Sequence, residues 1–152
     1  MPAKAEEMSK WMQWLMTSHV RRYHRSHKTS GHVWQGRYKS FIVQKDDHLI
    51  TVARYVEGNP VRARLVKSAK DWHWSSHEER TGEASLIHEF PMELPNDWTE
   101  YVDTPIGKEL ERLRQSVLRQ SPYCAEKWVT EICKEHGLES TIREKGRPRK
   151  CD

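Results

Sequence analysis

The segment Asp46–Val66, "DDHLITVARYVEGNPVRARLV", constrains the fold more than any other stretch. Leu49, Val52, Ala53 and Val56 recur at i, i+3, i+4 and i+7, the pattern of one buried helix face. Asp46 or Asp47 can cap the start. Pro60 disfavours helical geometry at Asn59, so the helix ends or kinks there. Tyr55 lies off the apolar stripe, on the side of His48 and Thr51, and Asn59 sits one turn beyond it. Taken singly, these residues have ordinary readings: a surface aromatic, a helix stop, and a solvated turn at Arg62 and Arg64. Taken together they also suit a tyrosine nucleophile beside a metal-binding amide, with arginines for a DNA backbone.

A long helix is expected from about Glu7 to His27, where Met8, Met12, Leu15 and Tyr23 recur with Trp11 and Val20. Arg21, Arg22 and Arg25 crowd its last turns, and Thr29-Ser30-Gly31 stops it. In "GHVWQGRYKSFIV", Val33, Gln35, Arg37 and Lys39 alternate with Trp34, Gly36, Tyr38 and Ser40. That is strand periodicity with a bend or turn at Gly36, read as a β-hairpin. "DWHWSS" (Asp71–Ser76) reads as a packed turn in which Trp72 and Trp74 are structural. The chain divides into a core over 1–76, an acidic, proline-containing linker over 77–106, a helical region over 107–143 and a basic tail over 144–152. Within the third part, helices are expected from about Gly107 to Arg119 and from Ala125 to His136.

Charge is strongly segregated along the chain. Residues 11–70 hold 12 Lys/Arg against 3 Asp/Glu, residues 71–111 hold 2 against 11, and residues 112–152 hold 10 against 6. A basic block rich in Trp, Tyr and His points to a polyanion, because phosphates reward clustered cations and bases stack on aromatic rings. Only 36% of residues are hydrophobic, so the seven tryptophans provide much of the apolar mass available to a core. Cys124, Cys133 and Cys151 form no CxxC and no even-numbered framework, which points to reduced thiols in a cytoplasmic protein. No apolar run approaches the roughly 20 residues of a membrane span.

The ordered series "MQWLMTSHVRRYHRSHKTSGHVWQGRYKSF", "DDHLITVARYVEGNPVRARLV", "DWHWSS" and "GLESTIREKGRPRK" resembles the REP-associated tyrosine transposases, a branch of the HUH single-strand DNA transposases. The resemblance covers roughly residues 8–76 and 107–150. It implies an α+β fold: an incomplete ferredoxin-like transposase core (helix, β-hairpin, nucleophile helix) with a helical C-terminal extension and a basic tail. It also implies a mechanism, in which a tyrosine attacks a DNA phosphodiester, forms a 5′-phosphotyrosine link and frees a 3′-hydroxyl. Tyr55 matches that nucleophile. Asn59 matches the polar residue completing a site for Mg²⁺ or Mn²⁺, an ion that would polarise the phosphate and stabilise the leaving oxygen.

The sequence departs from that family at the metal. The family holds its ion chiefly through a His-hydrophobic-His motif on a strand before the first helix, and no His-x-His occurs in this chain. "MPAKAEEMSKW" opens almost directly on that helix, so two ferredoxin-like strands and the first crossover helix are expected to be missing. The nearest substitutes are His24 and His27, at i, i+3. Gly58 and Arg64 stand where the family usually has a polar or charged residue and a glycine, respectively. Arg64 strains the turn if that glycine takes positive φ.

For DNA contact the expected residues are Arg21, Arg22, Arg25, Trp34, Arg37, Tyr38, Lys39, Arg62 and Arg64. In the tail, Arg147, Arg149 and Lys150 of "KGRPRK" resemble an AT-hook core suited to an A·T-rich minor groove. Ser75, Ser76 and the scattered histidines form no convincing hydrolase triad. Two readings remain: a transposase-family protein that binds single-stranded, hairpin-forming DNA and is inactive as this chain alone, or a non-catalytic DNA-binding remnant or regulatory module.

Overall fold

The computed structural model describes residues 5–82, 87, 89–143 and 146. The chain forms two compact units, Met1–Lys39 and Ser40–Asp152. Neither contains a strand or a sheet among the described residues, which overturns the expected α+β, ferredoxin-like core and its β-hairpin. No described helix is long and apolar enough to cross a membrane.

The first unit shows why the alternating segment misleads. Helix α1 runs over Ala5–His27 with basic residues in its last turn, where cations suit the helix dipole. Lys28 (φ 51°) and Gly31 (φ 106°) then reverse the chain. Residues 32–38 run back beside the helix: Trp34 Nε1 donates to Met16 O at 3.4 Å, and Tyr38 shares a 2.8 Å hydrogen bond with Ser9. The chain bends through residues 33–37 and does not extend as the alternation implies, and Trp34 and Tyr38 both line a groove against α1. The segment's partner is a helix, and no backbone ladder joins it to another segment among the described residues.

The second unit is built on α2 (Asp47–Glu57), α3 (Asn59–Arg62), a 3₁₀ turn (Ala69–Asp71), α4 (Ser76–Thr81), α5 (Trp98–Asp103), α6 (Lys108–Arg119), α7 (Glu126–His136) and α8 (Glu139–Ile142). The Asp46 side chain caps α2 by accepting from His48 N at 2.9 Å. Burial alone would raise the Asp46 carboxyl, but the backbone and ring nitrogens of His48 hold it below its ordinary value. Ala69, Trp98 and Val102 form the core cluster, with Ile50, Ala53, Val61, Leu94 and Tyr101 packed against it. Helix α5, which supplies Trp98 and Val102, falls within the acidic segment. A second buried group comprises Leu113, Tyr123, Cys124, Ile132 and Cys133. A parallel bridge, Val43 to Tyr123, ties the segment before α2 to the α6–α7 connection.

One buried polar hub fixes the C-terminal end of α2. The Glu57 side chain is 1% exposed and accepts from Ser76 Oγ (2.5 Å), Arg80 Nε (2.6 Å) and Trp98 Nε1 (2.7 Å), and from His77 Nδ1 at 3.0 Å. His77 Nε2 meets Thr99 Oγ1 at 3.1 Å. Burial would raise the Glu57 carboxyl, but these donors outweigh it and hold the group below its ordinary value. The hub ties α2 to α4 and α5 two residues beyond Tyr55, so the end of the helix has a defined place.

Candidate functional site

Tyr55 and Asn59 lie on consecutive short elements, and Arg62 joins them. Gly58 closes α2, its N–H bonding to Arg54 O at 2.9 Å, and α3 begins at Asn59 with Pro60 inside its first turn. This break turns the chain so that Arg62 folds back over α2. Its guanidinium carbon stands 4.4 Å from the centroid of the Tyr55 ring. Its Nη2 donates to Asn59 Oδ1 at 2.6 Å and also to the Tyr55 carbonyl oxygen. Gly58 gives the guanidinium room, since a Cβ there would lie 2.8 Å from Arg62 Nη1 and 3.1 Å from Arg54 O. Burial lowers the pKa of Arg62; Tyr55 opposes that shift, while Arg114 and Arg54 add to it. The group remains a cation, as a guanidinium does throughout the ordinary pH range.

The donors expected for Mg²⁺ or Mn²⁺ do not fit such an ion. Asn59 Oδ1 already accepts from a guanidinium, which would repel a second cation on the same oxygen. His24 uses both ring nitrogens, Nδ1 with Thr29 Oγ1 and Nε2 with Gly31 O, each at 2.9 Å. His27 Nδ1 bonds to Tyr23 O at 3.0 Å, and its ring stacks on Tyr23 at 4.2 Å. No group of three or more His, Cys, Asp or Glu side chains among the described residues could hold a metal.

A separate feature lies in the first unit. A groove of about 760 Å³ is lined by Arg21, His32, Trp34, Gly36, Arg37 and Tyr38, together with residues of α1 including Met16 and Val20. Trp34 is 44% exposed and its ring lies 5.0 Å from that of His19. No described residue of this unit is fully buried, and Trp14 is 64% exposed. The unit thus keeps Trp14, Tyr23 and Trp34 at the surface among cations, with Trp11 and Tyr38 half-buried.

The structure distributes the remaining sequence-expected residues as follows. Arg22, Arg25 and Lys39 are exposed in the first unit. Arg64 is exposed after α3 at φ 58°, the left-handed conformation that makes a glycine the easier choice there. Arg147, Arg149 and Lys150 lie outside the described residues. Trp72 is half-buried and Trp74 is 87% exposed. Ser76 and His77 both bond to Glu57, so the serine hydroxyl faces a carboxylate and not an imidazole base.

Sequence reasoning missed the Arg62–Tyr55 contact and the Glu57 hub. The seven-residue spacing from Tyr55 to Arg62 would signal one helical face, but Pro60 interrupts the helix and removes the inference. Arg54 was missed as well. It is only 8% exposed, donates from Nη2 to Thr104 O at 2.8 Å and lies 4.2 Å over the Tyr101 ring, while its Nε has no partner.

Residues 2–59 match the model of the family described as "Transposase IS200 like". The matched stretch contains α1, the groove-lining segment and α2, and it ends on Asn59. This match supports a transposase-family protein. No curated protein and no solved structure matches the chain.

Proposed function

We propose that this transposase-family chain binds single-stranded, hairpin-forming DNA and, acting alone, does not cut it. The observation that carries the reading is the groove of the first unit, where Trp34 and Tyr38 stand among Arg21 and Arg37 inside the family-matched segment. Unpaired bases stack on exposed aromatic faces, and the adjacent guanidinium groups neutralise the backbone between them. Arg22, Arg25 and Lys39 extend the positive surface of this unit, and in the second unit Arg62 and Arg64 add cations after α2. The tail residues Arg147, Arg149 and Lys150 add a minor-groove contact on A·T-rich duplex.

Tyr55 is the residue from which the family chemistry would start. Its Oη would form a bond to phosphorus, the bond from phosphorus to the 3′-oxygen would break, and that oxygen would leave as a hydroxyl with a proton. A phenol ionises only near about pH 10, so the attack at neutral pH needs strong stabilisation of the charge that develops. The donor set around Asn59 does not suit the divalent ion that would provide it. The reading is therefore a binding or regulatory module built on a strand-cleavage site.

Anisotropy of a labelled hairpin oligonucleotide, titrated at several salt concentrations, tests this. The expected slope of log K against log salt is about −0.7 for each phosphate neutralised on the single strand. Binding that ignores salt, or no binding at low salt, would exclude the reading.

A further inference from the structure

We propose that Gln13 is the base-reading residue of the first unit's groove and that it selects adenine. The inference deepens the DNA-binding reading above and rests on it for the single strand that enters the groove. One wall of the groove is a face of α1, and the other is the returning segment with Trp34 and Tyr38. The polar atoms of those two rings are engaged by the first wall. The single indole N–H of Trp34 goes to Met16 O at 3.4 Å, and the hydroxyl of the half-buried Tyr38 shares its 2.8 Å hydrogen bond with Ser9. These rings offer an incoming base their faces, which stack on any base and tell little between them.

The reading of a base edge therefore falls to the groups that remain free. Gln13 lies on α1 between the two anchor points, about 6 Å along the axis from Ser9 and about 4.5 Å from Met16. It lines the groove, is exposed, and its carboxamide makes no hydrogen bond to any described residue. Thr17 and His32 line the same groove and are equally free among the described residues. A hydroxyl donates and accepts at one atom, so Thr17 suits either kind of edge. The two ring nitrogens of His32 point apart and cannot take neighbouring atoms of one base. Arg21 and Arg37 carry donors only, pair with no described carboxylate, and serve the phosphates. The Gln13 carboxamide presents a donor and an acceptor side by side, the pairing that takes two atoms of one base edge.

Adenine suits that pairing best. A purine gives the larger ring to the 44% exposed face of Trp34. Of the two purines, adenine carries its amino group between two acceptors, N1 and N7, so a carboxamide can pair on either edge. Guanine presents two acceptors, N7 and O6, on its outer edge, where the Gln13 oxygen would face another oxygen. Guanine is thus left with one usable edge. Gln13 falls inside the family-matched residues 2–59, and that match assigns it no role.

The test is anisotropy of the full chain with a labelled hairpin whose single-stranded flank alternates abasic sites with A, G, C or T. The A flank should bind about tenfold more tightly than the G flank, a comparison in which both bases are purines. Gln13→Ala should bring the two within about twofold by weakening the A flank. The melting curve should not move, because Gln13 is exposed on a helix where alanine is well tolerated. Arg21→Gln should weaken all four flanks alike, keep the A-over-G ratio, and make the salt slope shallower by about 0.7. Equal binding of the A and G flanks by the parent, a preference for G, or an A preference that survives in Gln13→Ala would overturn the inference and leave the DNA-binding reading standing. Failure to bind any flank at low salt would remove that reading and the inference with it.

Discussion

Arg62 lies face-on over Tyr55, its guanidinium carbon 4.4 Å from the ring centroid, while donating to the same residue's carbonyl oxygen. The contact joins two elements that Pro60 separates, and it places a permanent cation on the face that Tyr55 shares with Asn59. The consequences for DNA binding, stability and chemistry can be measured separately.

Trp34→Ala should weaken hairpin binding with little effect on the fold. The ring is 44% exposed and holds Met16 O only through a long 3.4 Å bond. Loss of one stacked base should cost about 1–3 kcal/mol of binding free energy. Titration of the variant, with its melting curve as control, checks this. Unchanged affinity would remove Trp34 from the interface.

Arg64→Gly should act in opposite directions on two observables. The residue sits at φ 58°, so glycine should relieve roughly 1 kcal/mol of backbone strain, read as a higher urea midpoint. If Arg64 touches a phosphate, the salt slope of DNA binding should also become shallower by about 0.7–0.9. A stabilised variant with an unaltered slope would make Arg64 a turn residue only.

Glu57→Gln should destabilise the second unit by about 3–5 kcal/mol, because it leaves Arg80 and the other donors around a neutral amide. The pH dependence follows from the depressed carboxyl. Its contribution is complete above the unfolded value of 4.5 and is lost as pH falls through the lower folded value. Urea unfolding of the parent should therefore weaken below about pH 4.5, and this part of the acid sensitivity should be absent from Glu57→Gln. Equal acid sensitivity in both proteins would contradict the hub.

The helices were legible wherever periodicity ran uninterrupted. The stripe of Leu49, Val52, Ala53 and Val56 and the Asp46 cap locate α2, and the same reasoning brackets α1, α6 and α7 to within two residues. The alternation at Val33–Ser40 misled, because alternation does not name a partner: the chain bends through residues 33–37 and lies against α1 instead of pairing as a strand. The Glu57 hub was hidden because its donors are scattered. Ser76, His77 and Arg80 follow a tryptophan-rich turn, and Trp98 comes from a segment whose prolines and acids read as a linker. A lone glutamate between Arg54 and Arg62 was the available hint. Tyr55 and Asn59 were visible as a pair. Their connection through Arg62 depends on how the chain turns at Pro60, which spacing alone does not fix.

The most direct measurement is a covalent-adduct assay. The chain is incubated with a labelled hairpin substrate and Mg²⁺ or Mn²⁺, and the products are separated under denaturing conditions. A divalent ion contributes several kcal/mol to such a step, and each 1.4 kcal/mol or so is a decade in rate, so an unsuited site should lose several decades. The account predicts that the hairpin binds at low salt and that no appreciable adduct survives denaturation, with Tyr55→Phe behaving like the parent. A covalent adduct formed by the parent and lost in Tyr55→Phe would contradict it, by showing that the Tyr55 site still cuts DNA.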